Sequence, residues 1–374
     1  MDLTTRLFLQ KPPRAAFRAL LRVRDLLGRA QRRMLPANAQ PIIDTLAIAH
    51  VRGLGVAAEL DLAGYLHRSP MDAGSLAAAA GADPDATERL LHLLAAGGYF
   101  RQDRQGRWRN TRQSSTLRSD HPMSVRDWAR FFGGGPHFRF WADAEHSIRT
   151  GESAVAAVTG QEFFEWAAEV DPDTGERFDA AQRDGSRLVG LSIRREVDLA
   201  GVRTICDVGG GTGRLLAQLL ENDPGRRGIL FDLPEVVARS APLLAEAGVS
   251  DRVEVVGGSF FESVPAGADR YVLVSVVHDW DDERVVEILR ACADAAVGDA
   301  RILVVEQVID PTEAPFIGRQ ADLLMLVLSG GGRERTDDQF RALFADAGLE
   351  VTRTFRLATP QQVYELAPAT DRSR

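Results

Sequence analysis

Thr204-Ile205-Cys206-Asp207-Val208-Gly209-Gly210-Gly211-Thr212-Gly213 decides how this chain folds. A β-prone run ends in four glycines among five positions, and a helical stretch from Leu215 to Glu221 follows. A strand that breaks into glycines and re-forms as a helix opens a βαβ unit. Glycine permits the tight turn and lets a ligand approach the backbone, because no Cβ stands in the way. The rival reading is a dinucleotide site, whose pattern is G-x-G-x-x-G. Here the glycines fall as G-x-G-x-G, with Asp207 two residues before the first.

From Val202 onward strand and helix patterns alternate. Strands are predicted at Thr204–Val208, Gly228–Phe231, Val253–Val256, Tyr271–Val277, Arg301–Glu306 and Val351–Leu357. Helices are predicted between them, at Leu215–Glu221, Val236–Ala247 and Glu283–Ala295. Such alternation means an α/β architecture, a largely parallel sheet with helices on both faces. Ligands of such sheets bind outside the carboxyl ends of the strands.

That rule singles out a few polar residues. Asp232 ends the second strand in Phe231-Asp232-Leu233-Pro234, where a carboxylate can accept from both hydroxyls of a ribose. A plain turn aspartate is the bland alternative; strand and spacing favour the ribose. His278 follows the fourth strand in Val277-His278-Asp279-Trp280. An isolated histidine is more often structural, but this one sits on the ligand side. Imidazole titrates near neutrality, so it can take a proton at cellular pH. Glu306 ends the fifth strand, and Glu334 lies in Gly331-Gly332-Arg333-Glu334-Arg335-Thr336. Either carboxylate can orient the imidazole and stabilise its protonated form. Asp281-Asp282-Glu283 reads as an acidic helix start favoured by the macrodipole, and nothing more. No histidine and carboxylates cluster at metal-ligand spacing, so no metal is expected.

Upstream the pattern is helical. Apolar residues from Pro41 to about Leu66 recur at helical spacing, among them Ile43, Leu46, Val51 and Leu54. A short helix at Ser75–Ala80 ends at Gly81. Asp83 and Pro84 then open a second helix, which runs to Ala96 and stops at Gly97-Gly98. Tyr99-Phe100-Arg101, a turn at Asp103–Gly106 and Trp108 make a small hairpin. Helix, turn, helix, hairpin is a winged-helix outline, so a DNA-binding regulator using Thr87–His92 is a competing reading. That helix carries few groups for phosphates or base edges, and Leu90, Leu91, Leu93 and Leu94 suit burial against protein. Residues 121–200 are helical and aromatic-rich, with Trp128, Phe131, Trp141, Phe163, Phe164 and Phe178, and are broken by Gly133-Gly134-Gly135-Pro136. These rings are either ordinary core or the lining of a pocket for a flat molecule.

Composition narrows the function class. With 374 residues, 45% hydrophobic and 26% charged, the chain has apolar surface enough for two domains. Its net charge of −8 gives no pull toward nucleic acid or anionic membrane. Two cysteines, Cys206 and Cys292, can build neither a disulfide framework nor a cysteine-rich metal site. They read as reduced core residues of a cytoplasmic protein. No apolar run approaches the ~20 residues that span a bilayer. The first 33 residues carry Arg6, Arg14, Arg18, Arg22, Arg24, Arg29, Arg32 and Arg33 against Asp2 and Asp25. A transit peptide or membrane-surface helix is one reading, and a helical arm that packs on a partner subunit is the favoured one.

Asp-Val-Gly-Gly-Gly-Thr-Gly at 207–213, Phe-Asp-Leu-Pro at 231–234, His-Asp-Trp at 278–280 and Gly-Gly-Arg-Glu-Arg-Thr at 331–336 occur in that order. Together they resemble the S-adenosylmethionine (SAM)-dependent O-methyltransferases of plant phenolics and bacterial aromatic polyketides, over roughly residues 40 to 366. The resemblance implies a C-terminal Rossmann-like SAM-methyltransferase sheet and a mainly α winged-helix N-terminal dimerisation domain, hence a homodimer. It implies that Gly209, Gly211 and Asp232, with Asp207 of the same motif, hold SAM. Phe260 and Trp280 would lie near the adenine and Ser186 near the methionyl group. His278 would be the general base, flanked by Glu306 and Glu334. Met325 matches a substrate-pocket methionine, and Phe164 belongs to the aromatic stretch expected to face the acceptor. Four positions depart from the family pattern. Ser259 replaces an adenine-contacting carboxylate and Val274 a lysine four residues before the histidine. Ser329 replaces a pocket asparagine and Gln182 a pocket methionine.

The expected layout is a basic helical arm (1–35), a winged-helix dimerisation domain (36–120), a helical linker and substrate-pocket region (121–200) and the Rossmann-like SAM-binding catalytic domain (201–368). The expected reaction moves a methyl group from SAM to a hydroxyl, phenolic by preference, of an aromatic small molecule. The alternatives are carbon or nitrogen methylation, a SAM-retaining relative that does not methylate, and the DNA-binding regulator. No nucleic-acid partner and no integral membrane segment are expected.

Overall fold

The computed structural model describes residues 33–221, 223–309, 317–357, 359 and 361–369, with scattered positions between 23 and 30. Most of the basic arm expected at 1–35 therefore lies outside the described residues. The chain divides at Ser115 and Thr116 into two compact units.

The first unit holds α1 (Ala39–Glu59), α2 (Leu62–Arg68), α3 (Ala73–Ala80), α4 (Pro84–Ala96), a hairpin of β1 (Phe100–Gln102) and β2 (Trp108–Asn110), and α5 (Arg112–Ser115). Local chemistry sets these bounds. Asp72 and Asp83 cap α3 and α4 by accepting the N–H groups of Ser75 and Ala86, each at 2.9 Å, and Gly81 ends α3 in the left-handed region. α4 buries Thr87, Leu91 and Leu94. On its outer face Arg89 stands 3.7 Å from Asp85 and His92 3.8 Å from Glu88, so each of these basic side chains has an acidic neighbour. α1 differs from expectation. Asp44, His50 and Arg52 interrupt its apolar sequence, yet an 18-residue window within its 21 residues reaches a mean hydropathy of 1.2, long and apolar enough to cross a membrane by length and composition. Ile42, Ile43, Leu46, Ile48 and Val51 along it are exposed.

The second unit begins with α6 (Arg126–Phe132), α7 (Gly135–Ala142), α8 (Ala144–Thr150), α9 (Ala154–Thr159), α10 (Phe163–Glu169) and α11 (Pro172–Glu196). Phe131, Phe140, Phe163 and Trp166 form the aromatic heart of this helical region, joined by Val327 and Leu328. The sheet follows, with β3 (Thr204–Val208), α12 (Arg214–Leu220), β4 (Arg227–Asp232), α13 (Pro234–Val237), α14 (Ala241–Glu246), β5 (Val253–Gly257) and β6 (Arg270–Val274). It is completed by α15 (Asp282–Ala295), β7 (Arg301–Gln307), α16 (Ile317–Leu328), α17 (Asp337–Asp346), β8 (Leu349–Arg356) and β9 (Gln361–Pro368).

The seven strands lie in the order β5-β4-β3-β6-β7-β9-β8, parallel from β5 to β7 and antiparallel for β9 and β8. Successive residues of a strand serve opposite faces. Cys206, Val208, Ile302 and Val304 join α15 and α17 in one core, while Ile205, Leu303 and Val305 join α11, α12 and α14 in the other. The chain runs outward through β3, β4 and β5, then returns to place β6 on the far side of β3. That reversal opens a crevice at the carboxyl ends of β3 and β6, where such sheets bind ligands.

Two predicted elements need correction, and one strand goes unpredicted. The strand predicted at Tyr271–Val277 stops at Val274, because Ser275 takes a left-handed φ of 54° and turns the chain. The helix predicted at Val236–Ala247 is two helices, broken at Ser240. β9 has no predicted counterpart. It is buried on both faces between β7 and β8, and so lacks the alternation that marks a half-exposed strand.

Arg226 anchors the entry to β4. Its guanidinium is buried and donates to the carbonyls of Val202, Leu219 and Leu199 at 3.1, 2.9 and 2.9 Å. Arg226→Ala leaves these acceptors without their donor and is expected to lower stability by about 2–3 kcal/mol in urea unfolding. The same change at exposed Arg227 should stay within about 0.5 kcal/mol.

Candidate active site

The glycine loop after β3 is shaped by two contacts. Gly209 has a φ of +69°, and a Cβ there would stand 2.8 Å from Cγ2 of Val276. A Cβ on Gly210 would stand 2.7 Å from the carboxyl carbon of Asp207, which is buried beneath the loop. Gly211 is also left-handed, but nothing lies within 4 Å of the place its Cβ would take, so its outer side is open to a ligand. The Gly211 N–H donates to Asp232 Oδ2 at 2.8 Å, and the Leu233 N–H donates to Oδ1 at 2.7 Å. Burial raises the Asp232 pKa against the pull of those two amides. Each oxygen keeps a second lone pair, so the carboxylate can still accept from ligand hydroxyls. Asp207 Oδ2 has no hydrogen-bond partner, and burial, with the Asp232 charge adding to it, pushes the Asp207 pKa up to about 7.

Beside the loop stands an aromatic corner. The rings of Phe260 and Trp280 meet edge to face at 5.9 Å, and Phe261 packs on Trp280 at 4.7 Å. Phe260 also lies 3.8 Å from the space a Gly209 Cβ would fill. Ser259 uses its hydroxyl on its own turn, accepting the Phe261 N–H at 3.3 Å.

His278 lies in one tight helical turn, Val277–Asp279, just past β6. Glu306, fully buried, accepts the N–H groups of Val276 and Val277 on one oxygen, each at 2.9 Å. His278 Nδ1 is 3.1 Å from Glu334 Oε1 and 3.8 Å from Glu306 Oε2, while Nε2 is 3.6 Å from Asp279 Oδ1. Burial by itself disfavours the imidazolium. The charges of Glu306, Asp279 and Glu334 outweigh that and raise the His278 pKa well above 6.5. One imidazolium cannot neutralise three carboxyls. Burial therefore carries Glu306 up to about 7 and Asp279 up to about 6.

Two arginines that sequence reading gave no role hold this turn. The Arg333 N–H donates to the His278 carbonyl at 2.7 Å. Arg335, almost fully buried, donates to the carbonyls of Val277 and Trp280 at 3.1 and 2.8 Å and pairs with Asp282 at 2.7 Å. Asp282 is thus more than a helix-start charge, the role expected of it. Arg335 stands beside Glu334 in sequence, but nothing in a linear reading separates a buried arginine from a solvated one. The expectation of no histidine–carboxylate cluster also fails. The ligating atoms of His278, Glu306 and Glu334 all lie within 4.8 Å of one another, brought together from two strand ends and a loop.

The predicted pocket residues are more scattered. Met325 is buried on α16, and the Ser329 hydroxyl beyond that helix donates to the Asp279 carbonyl at 3.4 Å, next to the histidine. Ser186 and Gln182 lie on α11, where the Ser186 hydroxyl donates to the Gln182 carbonyl at 2.8 Å. Phe164 on α10 is 43% exposed, its ring 5.5 Å from Phe163 and 5.8 Å from Phe178, so it stands at the rim of the aromatic cluster. Among the described residues, no hydrogen bond or ring contact joins Ser186, Gln182 or Phe164 to the histidine turn.

Comparison with known proteins gives the family. Residues 141–350 match the O-methyltransferase domain, and residues 46–120 match the O-methyltransferase dimerisation domain. The phenazine O-methyltransferase of Lysobacter antibioticus is 38% identical over 317 residues, covering 85% of this chain and 92% of that protein. The mitomycin biosynthesis 6-O-methyltransferase of Streptomyces lavendulae is 38% identical over 325 residues, covering 85% and 91%. Among solved structures, the O-methyltransferase NcsB1 of neocarzinostatin biosynthesis, in complex with SAM and 2-hydroxy-5-methyl naphthoic acid, superposes with a TM-score of 0.70 at 35% identity, covering 86% of this chain and 96% of that one. The chain belongs to the O-methyltransferase family, its catalytic domain joined to that family's dimerisation domain.

Proposed function

We propose that this chain, a SAM-dependent O-methyltransferase of aromatic secondary metabolites, methylates a phenolic hydroxyl of its acceptor with His278 as the general base. The observation that carries this reading is the fixed imidazole, Nδ1 on Glu334 at 3.1 Å, at the carboxyl end of β6 and beside the glycine loop. We also read the chain as a cytoplasmic homodimer. The exposed apolar residues of α1, part of which falls in the matched dimerisation domain, support the dimer.

The loop fits an adenosyl ligand in three respects. Gly211 is open on its outer side, Asp232 has lone pairs left for ribose hydroxyls, and Phe260 with Trp280 offers apolar ring surface for a base. When bound, SAM supplies an electrophilic sulfonium methyl group. The residues of the chain hold the two reactants in line and manage one proton. A phenol, with a pKa of about 10, is mostly protonated at neutral pH and a poor nucleophile. Glu334 accepts from Nδ1–H and so fixes the tautomer that leaves the Nε2 lone pair free for the acceptor proton. Glu306 and Asp279 then stabilise the imidazolium that forms.

His278→Gln is expected to lower kcat by about 10²–10⁴-fold, with calorimetric SAM affinity retained; unchanged turnover contradicts the assignment. Asp232→Asn should weaken SAM binding about tenfold or more through loss of charge-assisted hydrogen bonds, while kcat at saturating SAM changes less. The base must be neutral to act, and its pKa is raised by the carboxylates around it. The acid limb of the kcat/KM profile should therefore fall above pH 6.5, the ordinary histidine value. Glu334→Gln should move that limb down. A limb at or below 6.5 in the wild type counts against the carboxylate-raised base.

A further inference from the structure

We propose that Asp322 is a positioning residue for the base, holding the main chain of Glu334 so that its carboxylate stays on the imidazole. This rests on the reading of His278 as the base. The segment that carries Glu334 is fixed on either side of that residue. The Arg333 N–H is tied to the His278 carbonyl at 2.7 Å, and the Arg335 carbonyl accepts the Ile309 N–H at 3.0 Å. The grip on Glu334 itself comes from elsewhere. Its N–H donates to Asp322 Oδ1 at 3.0 Å.

The direction of that N–H sets the backbone rotation at residue 334, and with it the line along which the side chain leaves. Glu334 is only 4% exposed, so solvent has poor access to take the place of a lost acceptor. A buried amide left without a partner is costly, which favours rotation of the peptide toward some other acceptor. Only a small rotation is needed. A side-chain hydrogen bond of 3.1 Å lies near the outer limit of good geometry, and weakens steeply as distance and angle worsen.

Asp322 also joins two parts of the site. It lies on α16 three residues before Met325, a spacing that puts both on one face of the helix. Farther along, Val327 and Leu328 are buried in the aromatic cluster with Phe131, Phe140 and Phe163. One helix therefore backs the aromatic region and holds the carboxylate that orients the base.

Asp322→Ala, Asp322→Asn and Asp322→Glu in the full chain test this. Two readouts serve: kcat and KM with a hydroxynaphthoate or hydroxyphenazine that the wild type methylates, and the His278 titration in nitrogen-15 histidine spectra, assigned with His278→Gln. Asp322→Ala is expected to lose about tenfold or more in kcat, with KM for SAM unchanged and the His278 midpoint shifted down. Asp322→Asn keeps an acceptor oxygen and should restore both. Asp322→Glu displaces the acceptor by one methylene and should show a smaller loss; it decides the matter if the alanine variant fails to fold. Wild-type kcat and an unmoved titration in the alanine variant, or in the glutamate variant if that alone folds, overturn the proposal. Full turnover in His278→Gln would instead remove the base reading beneath it. An inactive His278→Gln beside a fully active Asp322→Ala removes this inference alone.

Discussion

A fully buried carboxylate governs the architecture of the site. Glu306 has no solvent exposure, and one of its oxygens takes the amides of both Val276 and Val277. Burying such a group is costly unless it is hydrogen-bonded and faces a counter-charge, and the imidazole of His278 provides the latter. To aim two successive amides at one oxygen, the chain cannot continue as a strand. β6 stops, Ser275 enters the left-handed region, and the histidine turn follows. Arg335 completes the arrangement from the other side by holding the carbonyls of Val277 and Trp280. The turn is thus fixed through its donors by a carboxylate and through its acceptors by a guanidinium.

The same turn is tied to the glycine loop by packing. Cγ2 of Val276 lies 2.8 Å from where a Cβ at position 209 would stand, so glycine there reflects the packing of the histidine turn. Sheet topology explains why the two belong together. The loop follows β3 and the turn follows β6, the neighbouring strands at which the order of the sheet reverses. Methyl transfer to an oxygen needs that oxygen in line with the methyl carbon and its leaving sulfur, and this end of the sheet is where the fold can align them.

Much of this was legible because it is local. The helix start at Asp83, the glycine loop and the acid that ends β4 are each set by residues within a few positions, and the structure forms each of them. Elements whose character comes from distant neighbours were not legible. β9 is covered on both faces, and its polar residues are met by a distant helix, as where Gln362 and Tyr364 donate to Asp337 of α17. The break at Ser240 carries no glycine, and the proline nearby, Pro242, falls at a helix start rather than at the break. Glu306 and Glu334 were named from their places in sequence. That they would meet one imidazole, backed by a buried arginine and by Asp322, is a product of long-range packing. Phe164, at the rim of the aromatic cluster, shows that an aromatic stretch does not by itself say which rings are covered.

The most direct test of the account is a crystal structure of the chain with S-adenosylhomocysteine and a phenolic acceptor bound together. The account predicts the acceptor oxygen within hydrogen-bond distance of His278 Nε2, about 2.6–3.2 Å, with Nδ1 still on Glu334. An acceptor oxygen held away from the imidazole, or an imidazole turned so that Nε2 faces Glu334, would contradict it.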